Sequence, residues 1–349
     1  MAIHQIGIDI GKNTFHLVGL DETNAIALRR QLSRAQLIRF FEKRQGEELD
    51  VAFEACSGAH WLAHRLIGLG HNVRLLTPES VRPFAKAQKK DFNDALAIAE
   101  AARRLGRHSV GVKSEEQLDL QPLHRVRRRL VTARTAIINQ MRGLMRERGL
   151  AAGVGRARFE RYWREQLLED STALTPLARS LFGALFAEYE EIDAKIDAID
   201  RELDAFARSN PVCSALLTIP GIGVIVATAL YSAVADIADF RSGRDLAAFL
   251  GLVPRQRSTG GKTTLPGISK RGYSYVRTLM IHGMRSVFYR RTKRCNRITA
   301  FMDRLVDRGL HTNKIVVASA NKAARVAWAV LTKNMAFQPF DTEPAVSSD

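Results

Sequence analysis

Cysteine is scarce in this 349-residue chain: Cys56, Cys213 and Cys295 stand far apart, with no Cys-x-x-Cys pair and no Cys/His spacing of a zinc site. That excludes a disulfide framework and a zinc-built fold, and it points to a reducing, cytoplasmic setting. Long hydrophobic runs are also missing. The longest, VIVATALYSAVA at 224–235, is too short to cross a bilayer, and MAIHQIGIDIGK lacks the basic start and apolar stretch of a signal peptide. No membrane association is expected. Acidic residues are sparse where basic ones crowd. Residues 241–333 hold 20 Lys/Arg against Asp245, Asp303 and Asp307, an excess of +17, and residues 101–165 hold 16 against 6, an excess of +10. A solubility charge mixes its signs more evenly. Basicity gathered in blocks is what contact with a phosphate backbone requires. With 46% hydrophobic residues, the chain can build two or three cores.

The pattern along the chain predicts an α/β region followed by a helical one. IHQIGIDI (3–10) alternates and reads as a strand, TFHLVGL (14–20) as a second, and 25–32 as a third. A helix capped by Ser33 follows over 33–45, then a strand at 49–54, a helix at 59–69, a strand at 72–77 closed by Pro78, and a helix at 93–105. Three strands, helix, strand, helix, strand, helix is the order of a ribonuclease-H-like fold. Residues 117–149 carry a stripe of Leu123, Val126, Leu130, Ile137, Met141 and Leu144 among arginines. Residues 179–208 carry Leu181, Leu185, Ile192, Ile196, Ile199 and Leu203 opposite an acidic face. Two long helices of opposite charge predict an antiparallel hairpin or coiled coil used in self-association, or a simple spacer. LLTIPGIGVIVATALYSAVAD reads as a helix-hairpin-helix, whose amides at Gly221 and Gly223 would hold a phosphate, or as an ordinary corner between helices. Residues 251–275 read as basic loop, helices resume at 273–290 and 312–333, and the tail reads as disordered. The expected domains are 1–110, 111–209 and 210–335, with a tail at 336–349.

Four acids suggest a metal site. Asp9 lies within a strand, where an unpartnered carboxylate is costly. Glu54 ends another strand, and Asp91 and Asp94 share one helix face at spacing i, i+3. Together they suit Mg²⁺ or Mn²⁺ and phosphodiester chemistry. Taken alone, Asp91 and Asp94 could simply cap their helix. Ser258, in RQRSTGGKTT, has a hydroxyl amid Arg255, Arg257 and Lys262. It reads either as a nucleophile or as one donor of a phosphate grip. A second basic turn, GISKRG, brings Lys270 and Arg271 and a rival hydroxyl, Ser269. Tyr273 and Tyr275 are further rivals that suit packing or stacking better.

The blocks GIDIGKNTFHL, FEACSG, KKDFNDALAIAEA, IPGIG and GLVPRQRSTGGKTTLPGISKRG, in this order over nearly the whole chain, resemble the DEDD transposases of the Piv/MooV invertase type, which mobilise bacterial insertion sequences. The resemblance implies a RuvC-like N-terminal domain, a helical coiled-coil linker and a mainly helical C-terminal transposase domain. It places the acid tetrad on Asp9, Glu54, Asp91 and Asp94 and the essential serine on Ser258, here followed by Thr-Gly-Gly-Lys where many members have Ser-Gly. It further implies a dimer or tetramer in which acids of one subunit meet the serine of another. Donor and target DNA and a guide (bridge-type) RNA are the implied partners. Three alternatives are a Holliday-junction-type nuclease without a covalent intermediate, a sugar kinase sharing the first phosphate loop, and a non-catalytic nucleic-acid binder. The kinase lacks a second Asp-Gly-x-Gly loop.

Overall fold

A computed structural model of the chain describes residues 3–85, 90–104, 110–167, 174–259, 262–264, 267–293 and 296–339. Its contacts divide into two compact units, one of residues 1–114 with 234–239 and one of 115–233 with 240–349.

The first unit is a mixed five-stranded sheet with helices. Strands β1 (Gln5–Ile10), β2 (Thr14–Leu20) and β3 (Ile26–Ser33) form an antiparallel meander. Helix α1 (Arg34–Glu42) starts at Ser33, whose side chain completes a capping box with Gln36. Then come β4 (Asp50–Glu54), α2 (Ala59–Gly68), β5 (Asn72–Leu76), the short α3 (Pro78–Val81) and α4 (Asp91–Arg104). The strand order is β3-β2-β1-β4-β5, with β4 and β5 parallel to β1. This arrangement is consistent with the expected ribonuclease-H-like region.

The period-2 pattern explains how the sheet is covered. Ile6, Ile8, Leu17, Val51 and Phe53 form one core with Leu37 and Phe41 of α1 and Leu62 and Leu66 of α2. The opposite face carries small residues, Gly7 and Ala52, under an alanine-rich α4 (Ala95, Ala97, Ala99, Ala101 and Ala102 are buried). A Cβ on Gly7 would lie 2.2 Å from the Ala95 carbonyl oxygen and 2.5 Å from the Ala99 nitrogen. Glycine is therefore the residue that lets α4 lie directly on β1.

The second unit is mainly helical. Helix α5 (Glu115–Arg146) leads through α6 (Arg156–Tyr162) and a π-helical turn at Trp163–Leu167 to α7 (Pro176–Ser209). Arg127 pairs with Asp200, and Arg134 with Asp193. Seven residues forward on α5 are seven residues back on α7, so the two helices are antiparallel. Their core is Leu130, Ile137, Met141 and Met145 against Phe182, Phe186, Tyr189, Ile192 and Ile196. The expected stripes are rotated: Val126, Leu144 and Leu181 are exposed, because Ile138, Met145 and the aromatic run Phe182–Phe186–Tyr189 take the inner face.

Helix α8 (Pro211–Leu217), capped by Asn210, the Pro-Gly-Ile-Gly turn and α9 (Val224–Ala233) follow, then α10 (Gly243–Phe249). The region read as loop over 251–275 contains a two-stranded ribbon, β6 (Arg257–Thr259) and β7 (Lys262–Thr264). Helices α11 (Ser274–Tyr289), α12 (Arg297–Asp307) and α13 (Thr312–Lys333) complete the unit. Among the described residues α13 alone has the length and apolar composition to cross a membrane. Ala320, Ala323, Ala324 and Ala327 bury one of its faces, and it packs on α10, α11 and α12 as a core helix. Of the expected disordered tail, residues 340–349 lie outside the described residues.

Candidate active site

The acids of the first unit gather at the C-terminal ends of adjacent strands. The β1–β4 register runs from Gln5↔Asp50 to Ile8↔Phe53. One step further it sets Asp9 beside Glu54, on neighbouring strands about 4.8 Å apart. Both share the face of Gly7 and Ala52, the face under α4. The contact of α4 with Gly7 brings Ala95, and with it Asp94 in the helix's first turn, to the same edge. Burial, and then the charges of Asp9, Asp94 and Glu79, push the Glu54 carboxyl above its ordinary range. Burial with Glu54 and Asp9 does the same to the Cys56 thiol.

Asp91 shares the first turn of α4 with Asp94. Its exposed carboxylate faces His16, with Nε2 3.6 Å from Oδ2. His16 is the cross-strand partner of Asp9 on β2, is buried, and meets the edge of Phe92 at 4.8 Å. Sequence reading missed His16 and Glu79. Glu79 follows the end of β5, whose Leu76 pairs with Glu54, so it extends the row of acids to a third strand. An acid just past each parallel strand end was the available signal, because ligands of open α/β sheets bind there.

Among the described residues no three Asp, Glu, His or Cys side chains stand close enough to enclose one ion as they are placed. The chemistry of the donors nonetheless fits a hard divalent cation: they are oxygen donors only, and burial together with the neighbouring acids raises Glu54's affinity for a proton.

The serine ribbon belongs to the second unit. Its stem is closed by Ser269 N–H to Val253 O (2.8 Å), Arg255 N–H to Gly267 O (3.1 Å) and a Pro254–Ile268 bridge. Ser258 is exposed, pairs with Thr263 across the ribbon, and its hydroxyl accepts from Gln256 Nε2 at 3.0 Å. Arg257 and Lys262 belong to the two strands, and Arg255 is exposed. The rival Ser269 has a buried hydroxyl that finds no hydrogen-bond partner among the described residues. Next to it Lys270 has a left-handed backbone (φ +57°), held by its N–H on Gly251 O, and both Lys270 and Arg271 are exposed. The rival Tyr275 is tied down. His124 is buried, which depresses its pKa to about 4 and keeps it neutral at pH 7. Thr228 spends its proton on Val224 O, so His124 Nε2–H donates to Thr228 Oγ1 (3.1 Å), and Nδ1 accepts from the Tyr275 hydroxyl (3.3 Å). Tyr273 packs its ring against Phe249.

The hairpin glycines differ. Gly221 (φ +84°) faces α11, where a Cβ would meet Met284 Cε at 2.3 Å, whereas Gly223 faces open space.

Comparison with known proteins fits both regions. Residues 6–148 match the DEDD transposase model of the IS110 group, and residues 213–300 match the model described as the IS116/IS110/IS902 transposase family. The chain is 42% identical to a probable family 20 transposase of Pseudomonas aeruginosa, over 97% of this chain and 100% of that one. It is 38% identical to the transposase for insertion sequence element IS1111A of Coxiella burnetii, over 95% and 91%. A pilin gene-inverting protein of Moraxella lacunata is 24% identical over 98% of each chain. The protein is thus a transposase, an enzyme that cuts and rejoins DNA. It belongs to the IS110/IS116 family of insertion-sequence transposases.

Proposed function

We propose that this transposase cuts and rejoins DNA through a covalent phosphoserine intermediate formed by Ser258. The observation that carries the reading is the contrast between two hydroxyls: Ser258 is exposed, in a segment whose sequence holds Arg255, Arg257 and Lys262, while the Ser269 hydroxyl is buried. The Ser258 oxygen attacks the phosphorus, the Oγ–P bond forms as the bond to one deoxyribose oxygen breaks, and that oxygen leaves with a proton taken from water. The serine proton passes to a carboxylate, for which Asp91 or Asp94 is suited. The phosphoserine ester conserves the bond energy, so the reverse attack by a DNA hydroxyl rejoins a strand. Arg255, Arg257, Lys262, Lys270 and Arg271 neutralise the backbone, with Gly221 and Gly223 of the hairpin as further phosphate contacts.

Asp9, Glu54, Asp94 and Asp91 would hold Mg²⁺ or Mn²⁺. When bound, such an ion supplies Lewis-acid stabilisation of the charge on the phosphate and activation of the attacking oxygen.

Domains at 1–110, 111–209 and 210–335 divide the labour. The RuvC-like first carries the acids, the coiled-coil α5–α7 pair assembles a dimer or tetramer, and the last carries the serine. In this reading acids of one subunit serve Ser258 of another, a structured guide RNA selects donor and target DNA, and the reaction takes place in the bacterial cytoplasm.

The decisive experiment is trapping of covalent protein–DNA adducts by the Ser258→Ala and Ser269→Ala variants. Loss with Ser258→Ala alone is expected; loss with Ser269→Ala alone, or cutting by Ser258→Ala, overturns the nucleophile. Mixing Asp9→Asn with Ser258→Ala protein regenerates one intact site per dimer only if the site is shared between subunits, so recovered adduct is the expected result.

A further inference from the structure

The strand ends that carry Asp9 and Glu54 also border a cavity of about 420 Å³ to which the acids do not contribute. Its walls include Gly11 and Lys12, which follow β1, and Ser57 and Gly58, which follow β4; Arg34 of α1 and Trp61 of α2 close it. Trp61 is 40% exposed, large for an indole in a folded core, and the Arg34 guanidinium lies over its ring at 4.9 Å from the centroid. Lys12 and Arg34 are exposed, and among the described residues neither has a carboxylate in an ion pair. Gly58 leaves open backbone, since a Cβ there would meet nothing within 4 Å. Two cations, an aromatic face and bare backbone in one recess match the parts of a nucleotide: a phosphate and a flat base.

We propose that this cavity receives one unstacked nucleotide of the DNA strand being processed. Its base stacks on Trp61, and its phosphate lies between Lys12 and Arg34. The cavity lies on the α1–α2 face and the acids on the α4 face, but both stand at the same ends of β1 and β4, so a strand crossing those ends meets both. The acids present a phosphodiester with negative charge, and the recess beside them supplies the opposite sign and a hydrophobic hold. Trp61 thereby fixes which phosphate comes to the acids. This assignment rests on reading those acids as the DNA-cutting centre.

Trp61 is one of three tryptophans; Trp163 is buried in the α5–α7 core and Trp328 donates to Phe240 O. Tryptophan emission therefore reports the cavity directly. The probe is a short single-stranded thymidine oligonucleotide, titrated without divalent cation, with the same strand carrying an end label for anisotropy. Wild-type emission is expected to be quenched on binding. Trp61→Phe is expected to bind with similar affinity but without the quench, and Trp61→Ala to bind about tenfold more weakly or worse. Unchanged affinity in Trp61→Ala, quenching that persists in Trp61→Phe, or quenching by the matching RNA strand but not by DNA overturns the proposal. Asp9→Asn is expected to lose cutting but retain the full quench, so failure of the reading of the acids and failure of this one are told apart. Melting curves confirm that each variant is folded, as expected for a side chain this exposed.

Discussion

Asp9, Glu54 and Asp94 sit on two strand ends and a helix fixed by contacts between glycine and alanine. Ser258, in contrast, rides on strands of three residues with its hydroxyl exposed. Like charges drift apart unless packing holds them, and the acids stand on the face where α4 lies directly against β1. A nucleophile that must approach and then leave a phosphorus gains nothing from such confinement, and low local stability suits a segment that moves. Rigidity is thus spent on charge, and freedom on the group that forms and breaks bonds.

The sharpest way to break this comparison is Gly7→Ala. The added carbon collides with α4 backbone, so the helix and Asp94 must shift. A displacement near 1 Å is expected to cost roughly 100-fold in cutting, with about 1–3 kcal/mol of stability lost in denaturant melts. The counterpart in the ribbon, Thr259→Ala, is expected to change stability by no more than about 0.5 kcal/mol. Equal losses would show that the two regions are equally rigid.

A smaller effect sharpens the role of His16. Removing the imidazole leaves Asp91 without its neighbour. His16→Leu is expected to weaken Mn²⁺ binding and cutting by about 10–100-fold, as loss of groups that orient ligands does. His16→Gln, which keeps a donor, is expected to recover most of it. Equal defects in both variants would mark His16 as a packing residue only.

The smallest effect concerns charge alone. Glu54 binds its proton more tightly in the folded than in the unfolded chain. The stability it contributes is therefore full below its unfolded pKa and is lost as pH rises through the elevated folded value. Without divalent cation at pH 7, Glu54→Gln is expected to melt roughly 1–2 °C above wild type, with the difference vanishing near pH 4. A lower melting temperature at pH 7 would place Glu54 in a favourable pair instead.

Much of this was legible because the relevant periods are long enough to detect. IHQIGIDI alternates from Gln5 to Ile10, and TFHLVGL and LDVAFE are short, mostly apolar stretches bounded by turn signals, so β1, β2 and β4, and with them Asp9 and Glu54, follow from pattern. The opposite charges of α5 and α7 disclosed their antiparallel pairing. Strands of three residues fall below any such window, which is why β6 and β7 passed as loop. His16 was hidden for another reason: its significance lies in cross-strand register with Asp9, a relation between residues seven apart that composition does not encode. Asp91 and Asp94 share one helix face as their spacing predicts: Asp91 faces His16, the cross-strand partner of Asp9, and the charge of Asp94 acts on Glu54.

The antiparallel pairing of α5 and α7 has a consequence for how such a chain can vary. Its cross-helix ion pairs recur seven residues apart on both helices. Taking one heptad from each helix at matching positions restores the same facing residues on either side of the cut. The arm behaves as a telescope whose length changes by about 10 Å per step while its two ends keep their partners. Relatives of this chain can therefore differ in arm length, and so in reach, without rebuilding either chemical centre.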